Sequence, residues 1–312
     1  MTEIGSLSPP ARFLICRPQH FAVTYSINPW MDPTAWADNG AVLHARAVRQ
    51  WQGLHRTLRA SGAAIEAVEP QPELPDLVFT ANAAVVLDGK AVLARFLHAE
   101  RRREEPVFAA AFHALQARGL IDKVVELPPG VTLEGAGDCL WDRSRKLFWI
   151  GSGFRSDAAA RDAIEREFGV PCLPLALADP NFYHLDTAFC ALPSGAVLYY
   201  PAAFTPAALE IIHDYVAPAQ RIALGRTDAE RFAANAVCVD RTIIMSSCSE
   251  ALRRALEGRG YAVAKTPLQA FLRSGGSACC LTLRLDHRVG AAQASAKTPS
   301  KVSPKISPMT AA

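Results

Sequence analysis

The chain lacks the residue spacings that mark metal centres, redox pairs and phosphate loops. Its eight cysteines and eight histidines include no Cys-x-x-Cys, no His-x-His and no His-Glu-x-x-His, so the commonest zinc frameworks are excluded and no metal is expected. There is no Walker-type loop and no Gly-x-Ser-x-Gly elbow. No apolar stretch approaches the ~18 residues that a bilayer span needs, so no membrane partner is expected. The N-terminal MTEIGSLSPPARFLIC has no basic segment leading into an apolar core, so no secretory leader is expected. Charge of one sign is also scarce. The formal net charge is +3, which the tail lysines Lys297, Lys301 and Lys305 account for, leaving no basic face for nucleic acid. Cysteines without close, regular spacing do not build a disulfide framework, and the expected location is the reducing cytoplasm. Oligomeric state is left open, a homo-oligomer included.

What the sequence does hold is ordinary globular composition and a repeat. It is 50% hydrophobic and 20% charged, enough for one large domain. Five times it spells strand, short turn, strand, helix, closing glycine, short strand. Hairpins are read at Asp76–Arg95, Glu134–Arg155, His184–Ala202 and Asn235–Ser247, and a last strand, GGSACCLTLRL, carries Cys280. The polar heads Asn82, Asp138, Thr187, Asn235 and Cys280 recur about every 45 to 56 residues, a repeat-architecture period. Apolar spacing and glycine stops predict helices from Ala35 or Gly40 to Ser61, Glu105 to Arg118, Ser156 to Phe168, Pro206 to Tyr215 and Ser249 to Leu256. Ser156 or Asp157 is expected as the cap of the third. The fold class is α/β, a ring of repeated modules that brings distant strand heads to one centre. The folded domain is expected over 1–290. The remainder, 291–312, is rich in Pro, Ser, Lys and Ala and is expected to be a disordered tail.

Certain strand heads carry reactive groups. Cys280 follows two glycines that let backbone approach a ligand closely. Alternation along a strand would point Cys279 the other way. A free thiol has a pKa near ~8.5, so a nearby cation is needed to populate the thiolate. His184 opens one hairpin and could protonate a leaving amine and later activate water. Glu134 and Asp138 bracket Gly-Ala-Gly, and a carboxylate there could orient the imidazole. Asp76, Glu134 and Asp138 suit a guanidinium or ammonium, while Arg101 and Arg155 suit a carboxylate. Together they fit a zwitterionic amino acid with a cationic end. Each also has a plain alternative: a buried structural thiol, a satisfied core histidine, surface ion pairs worth little.

The combination INPWMDP, PDLVFTANA, RFLHAERRREE, EGAGD, GFRS, FYHLDTAF, YYPAAF and GGSACCLTL resembles the pentein superfamily of guanidine-modifying enzymes over about residues 12 to 285. That resemblance implies five ββαβ units in a propeller around a central site, with no cofactor. It also implies a small-molecule substrate, arginine or a methylated arginine. It makes Cys280 the nucleophile, His184 the general acid and base, and Glu134 the group that holds the guanidinium or orients the histidine. Asp138 and Asp76 would join that cavity, Arg101 and Arg155 would grip the substrate carboxylate, and Asn28, Asn82 and Asn235 would line it. Ala81-Asn82 stands where dimethylarginine hydrolases and deiminases carry an acidic pair, and with INPWM it looks more like the arginine dihydrolases. An amidinotransferase or a non-catalytic arginine-binding protein would use the same set.

Overall fold

The computed structural model of the protein describes residues 10–290. The tail expected from Ala291 lies outside the described residues. The repeat is realised as five three-stranded sheets. In the second blade Ala84–Leu87 runs antiparallel to Lys90–Leu93, which runs parallel to Lys123–Val125. The third blade repeats this with Cys139–Asp142, Leu147–Ser152 and Cys172–Ala176. The fourth uses Phe189–Ala191, Val197–Tyr199 and Arg221–Ala223, and the fifth Val237–Val239, Thr242–Met245 and Ala262–Lys265. The first blade closes the ring. Its inner strand, Leu283–Arg284, comes from the C-terminal end and pairs antiparallel with Arg12–Cys16, which pairs in parallel with Ala64–Val68. This is the five-bladed pentein propeller.

A parallel pair needs a crossover, and each blade supplies a helix between its second and third strands. These are Gly40–Ala60, Glu105–Ala117, Ala160–Phe168, Pro206–Tyr215 and Glu250–Glu257. Phe108, Phe112 and Leu115 fall at helical spacing and pack on Ala84, Val86 and Ala91 of their own sheet. Each such phenylalanine stabilises the blade by roughly 1.5–3 kcal/mol. The turn chemistry holds too. Asp88 and Gly89 both adopt positive φ (51° and 75°), as a tight hairpin turn requires. Thr205 and Ser249 cap their helices by accepting from the amides of Ala208 and Leu252.

The structure corrects two local readings, while the first long helix runs over Gly40–Ala60, from the later of its two expected starts, after a separate short helix Pro33–Ala37. The third begins at Ala160, so neither Ser156 nor Asp157 caps it. The residues read as strand heads are not extended. They form single helical turns ahead of the inner strands, each closed by a bond from residue i+3 to residue i: Asn82 to Phe79, Gly137 to Glu134, Thr187 to His184, Asn235 to Phe232, and Thr282 to Cys279. At the hub no neighbouring strand is available for pairing, so the backbone bonds to itself.

Candidate active site

Three of the five turns, those at Phe79–Asn82, His184–Thr187 and Cys279–Thr282, contribute to the wall of a small polar cavity. It is lined by Asn28, Asp76, Asn82, Arg101, Arg155, Tyr183, His184, Ser274 and Cys280, among others. Its volume of about 10 Å³ is room for about one water, so entry of an amino acid requires its walls to separate. The Asn28 loop and the Ser274–Gly276 loop close it. Asn28 Nδ2 donates to the Ser274 carbonyl at 3.1 Å, and the Tyr183 hydroxyl donates to the Gly275 carbonyl at 2.8 Å. Gly275 has a φ of +80°, and a Cβ there would lie 2.5 Å from that hydroxyl oxygen, so only glycine fits. A larger cavity of about 180 Å³ lies beyond the turns among the inner strands, with mostly apolar walls that include Trp141, Phe189, Val237 and Cys279. It holds no acid–base pair of the kind found in the small one.

His184 caps the turn Leu185–Ala188 and lies 2% exposed. Its Nε2 stands 2.7 Å from Glu134 Oε2. That same oxygen accepts from Arg155 Nη1 at 3.0 Å. Burial alone would push the Glu134 carboxyl up, but the Arg155 charge and the His184 hydrogen bond outweigh it and hold it well below the usual carboxylate range. Glu134 lies behind the imidazole and does not face the cavity, so of its two expected roles the geometry supports orientation of the histidine. Asp138 also stands back. Its Oδ1 accepts from the Leu185 amide at 2.9 Å and its Oδ2 from Ser156 Oγ at 2.6 Å, which anchors the histidine turn; burial pushes its carboxyl up to about 6. Ser156, expected as a helix cap, is thus a supporting residue of the site.

Cys280 lines the same cavity as His184. Its thiol donates to Asp186 Oδ2 at 3.2 Å and accepts from Asn235 Nδ2 at 3.0 Å. Burial, then the Asp186 charge, pushes the thiol well above its ordinary range. Cys279 faces the larger cavity instead, as alternation suggested, although a helical turn and not a strand separates the two. Asp186 was missed by sequence reasoning, yet it sits in the same HLDT turn as the histidine. Burial raises its carboxyl to about 7. Asn235 is displaced from its expected role, because it lies behind Cys280 and not in the cavity wall.

The substrate-facing expectations are partly met. Asp76 lines the cavity and accepts from Tyr25 Oη at 2.8 Å and Ser274 Oγ at 3.1 Å. Asn82 donates to the Glu134 carbonyl at 3.0 Å and accepts from Arg101 Nη1 at 2.9 Å. Arg101 is already committed. Its Nε and Nη2 grip both oxygens of Glu104 at 3.0 and 2.7 Å, and its guanidinium packs 4.4 Å from the Phe96 ring centroid. Burial works against its charge, but Glu104 outweighs that. Arg155 has more capacity left. Beyond Glu134 it donates to the Ile27 carbonyl at 2.9 Å, and it stacks 4.6 Å over Tyr183. Among the described residues no group of three or more His, Cys, Asp or Glu side chains is placed to hold a metal ion, and no helix is long and apolar enough to cross a membrane.

Comparison with known proteins agrees with this fold. The family described as "N,N dimethylarginine dimethylhydrolase, eukaryotic" matches residues 17–286. The chain is 45% identical over 278 residues to the bifunctional arginine dihydrolase/ornithine cyclodeaminase AgrE of Nostoc, covering 89% of this chain and 38% of that protein. It therefore spans about two fifths of that relative's length. It is 36% identical to the N(G),N(G)-dimethylarginine dimethylaminohydrolase of Mycobacterium tuberculosis, covering 88% of this chain and 85% of that protein. The N-terminal domain of ArgZ, a cyanobacterial arginine dihydrolase solved with substrate bound, superposes with a TM-score of 0.83 at 41% identity, covering 89% of this chain and 99% of that one. The chain belongs to the dimethylarginine dimethylaminohydrolase family, within the pentein superfamily of guanidine-modifying enzymes.

Proposed function

We propose that the protein hydrolyses the guanidino group of L-arginine twice at one cysteine, giving ornithine, ammonia and carbon dioxide. The observation that carries this reading is a thiol and a carboxylate-oriented imidazole in one polar cavity whose wall includes Asp76, Arg101, Arg155 and the neutral amide of Asn82. The higher identity to AgrE than to the mycobacterial dimethylaminohydrolase supports the same choice.

Cys280 is the nucleophile and His184 the proton carrier. At rest the thiol keeps its proton, because burial and the Asp186 carboxylate disfavour a second negative charge. A guanidinium brought against Cys280 offsets that charge, and the thiol proton passes to His184, leaving a thiolate beside an imidazolium. The sulfur adds to the guanidinium carbon, His184 protonates the departing nitrogen, and ammonia leaves. Water deprotonated by His184 then adds to the S-linked amidine carbon, and the thiolate departs to leave a ureido group. A second round expels the second ammonia and leaves an S-linked carbamoyl. Water releases it as the carbamate of ornithine, which loses carbon dioxide.

Glu134 orients His184 throughout. Asp76 faces the cationic end, and Arg155 and Arg101 are the groups for the substrate carboxylate once entry draws Arg101 from Glu104. A carboxylate at position 82 would favour the cationic substrate over the neutral ureido group. An amide binds both, so the intermediate product stays for the second round. Incubation with L-arginine, dimethylarginine and citrulline, read by mass spectrometry, tests this. Ornithine from arginine is expected. Citrulline from dimethylarginine with none of the ornithine would assign the one-step family reaction, and a new guanidine on adding glycine would assign amidino transfer. Arginine bound but never consumed would make this a binding protein.

A further inference from the structure

Asn235 is fully buried, and every hydrogen-bonding position of its side chain is used. Nδ2 donates to Cys280 Sγ at 3.0 Å and to the Asp186 carbonyl at 3.1 Å. Oδ1 accepts from the amides of Ser277 and Cys280, both at 3.1 Å. Its main-chain carbonyl accepts from the Cys279 amide at 3.3 Å. The orientation of the amide is fixed by chemistry, since two backbone N–H groups can be met only by the oxygen. One side chain of the fifth blade thus ties the turn that carries the nucleophile to the turn that carries His184 and Asp186.

The two contacts of the sulfur respond oppositely to loss of its proton. The bond in which the thiol donates to Asp186 is lost with the thiol proton, and an ionised Asp186 then faces a second anion. The Asn235 N–H remains a donor and strengthens when its acceptor is charged. Resting on the reading of Cys280 as nucleophile, we propose that Asn235 is the positioning residue of the reaction: it holds the Cys280 sulfur on target and supplies a hydrogen bond to the thiolate.

The test uses the full chain and the isosteric variant Asn235→Asp, with Asn235→Ser and Asn235→Ala beside it. The rate of Cys280 alkylation by iodoacetamide is followed against pH by peptide mass spectrometry, alongside kcat and KM for arginine. In Asn235→Asp the alkylation profile is expected to move about one pH unit or more to the alkaline side. Its kcat is expected to fall about 10²-fold or more, with KM within about threefold of wild type. A lowered unfolding temperature with an unmoved alkylation profile and unchanged kcat would mean that Asn235 is structural only, and the proposal would be wrong. If Asn235→Asp does not fold, the Ser and Ala pair decides. Higher kcat and a more acidic profile for Ser, which keeps a hydroxyl donor, support the role, and equal values overturn it. The alkylation arm needs no substrate. Failure of wild type to consume arginine would therefore fault the proposed activity and leave the Asn235 result standing.

Discussion

The Asp186 carboxylate accepts the Cys280 thiol at 3.2 Å across 94 positions of sequence. Asp186 follows His184 on the same helical turn, so one turn contributes both the imidazole and the carboxylate that faces the sulfur. Its second oxygen, Oδ1, is buried without a hydrogen-bond partner. A lone buried acceptor costs about 1–3 kcal/mol.

This arrangement sets a pH-dependent cost. The Asp186 carboxyl is raised to about 7 by burial, above the ~3.9 of an unfolded chain. The folded state therefore holds this proton more tightly, and the associated stability is full below about pH 4 and lost as pH rises through about 7. Asp186→Asn removes the titration and keeps an oxygen for the thiol. The variant is expected to be more stable than wild type by a few kcal/mol, at most about 4, at pH 8 and nearly equal to it at pH 4. Urea unfolding at both values reads this, and a gap that does not change with pH would discard the argument. Turnover should fall at least about 10²-fold, since the variant is stable but has lost the charge that faces the Cys280 sulfur.

The two adjacent cysteines line different cavities. Cys280 lines the reactive cavity, and Cys279 lines the larger apolar one. Cys280→Ser is expected to lose turnover by about four orders of magnitude or more while folding normally, because a hydroxyl is a far weaker nucleophile at neutral pH. Cys279→Ser should keep most of the activity. Steady-state kinetics with unfolding curves decide this, and equal losses in both variants would move the nucleophile elsewhere.

The blades were legible because periodicity and glycine stops are local signals. Phe108, Phe112 and Leu115 mark a helix face, and Gly169 in the left-handed region (φ 68°) ends the helix before it. The hub was misread because short apolar runs such as LVFTANA do not distinguish an extended segment from one helical turn. Asp186 was passed over although a strand would have put it on the same face as His184, because nothing in the sequence places it against a sulfur from the other end of the chain. The role of Asn235 was hidden for the same reason, since its partners Ser277 and Cys280 are brought to it only by ring closure. The arginines were legible as charge and illegible as geometry. Glu104, which holds Arg101, reads in sequence as part of a solvated mixed-charge run.

Glu134 serves His184 and Arg155 with one oxygen, and the two duties can be separated. Glu134→Gln keeps the shape but leaves Arg155 buried without its carboxylate, which should cost about 3 kcal/mol or more. It should also lower kcat about 10²- to 10⁴-fold. Glu134→Asp keeps the charge and draws it back from the imidazole, so it should recover much of the stability and little of the rate. Denaturant midpoints beside kcat for both variants check this. Recovery of rate by Gln would show that charge at position 134 is dispensable.

On the proposed two-step reaction, Asn82 is the residue that sets how far hydrolysis runs. Its amide bridges the Glu134 carbonyl and the Arg101 guanidinium. In Asn82→Asp the new carboxylate pairs with Arg101 but cannot donate to the Glu134 carbonyl. The cavity becomes more negative, which favours a cationic guanidinium and disfavours a neutral ureido group. The variant is expected to release citrulline from arginine, with ornithine reduced at least about tenfold relative to total turnover. Citrulline offered as a substrate should be turned over more slowly than by wild type. Product ratios by mass spectrometry over a time course measure this. An Asn82→Asp enzyme that still yields ornithine in the wild-type ratio would show that the choice between one hydrolysis and two is made elsewhere in the cavity.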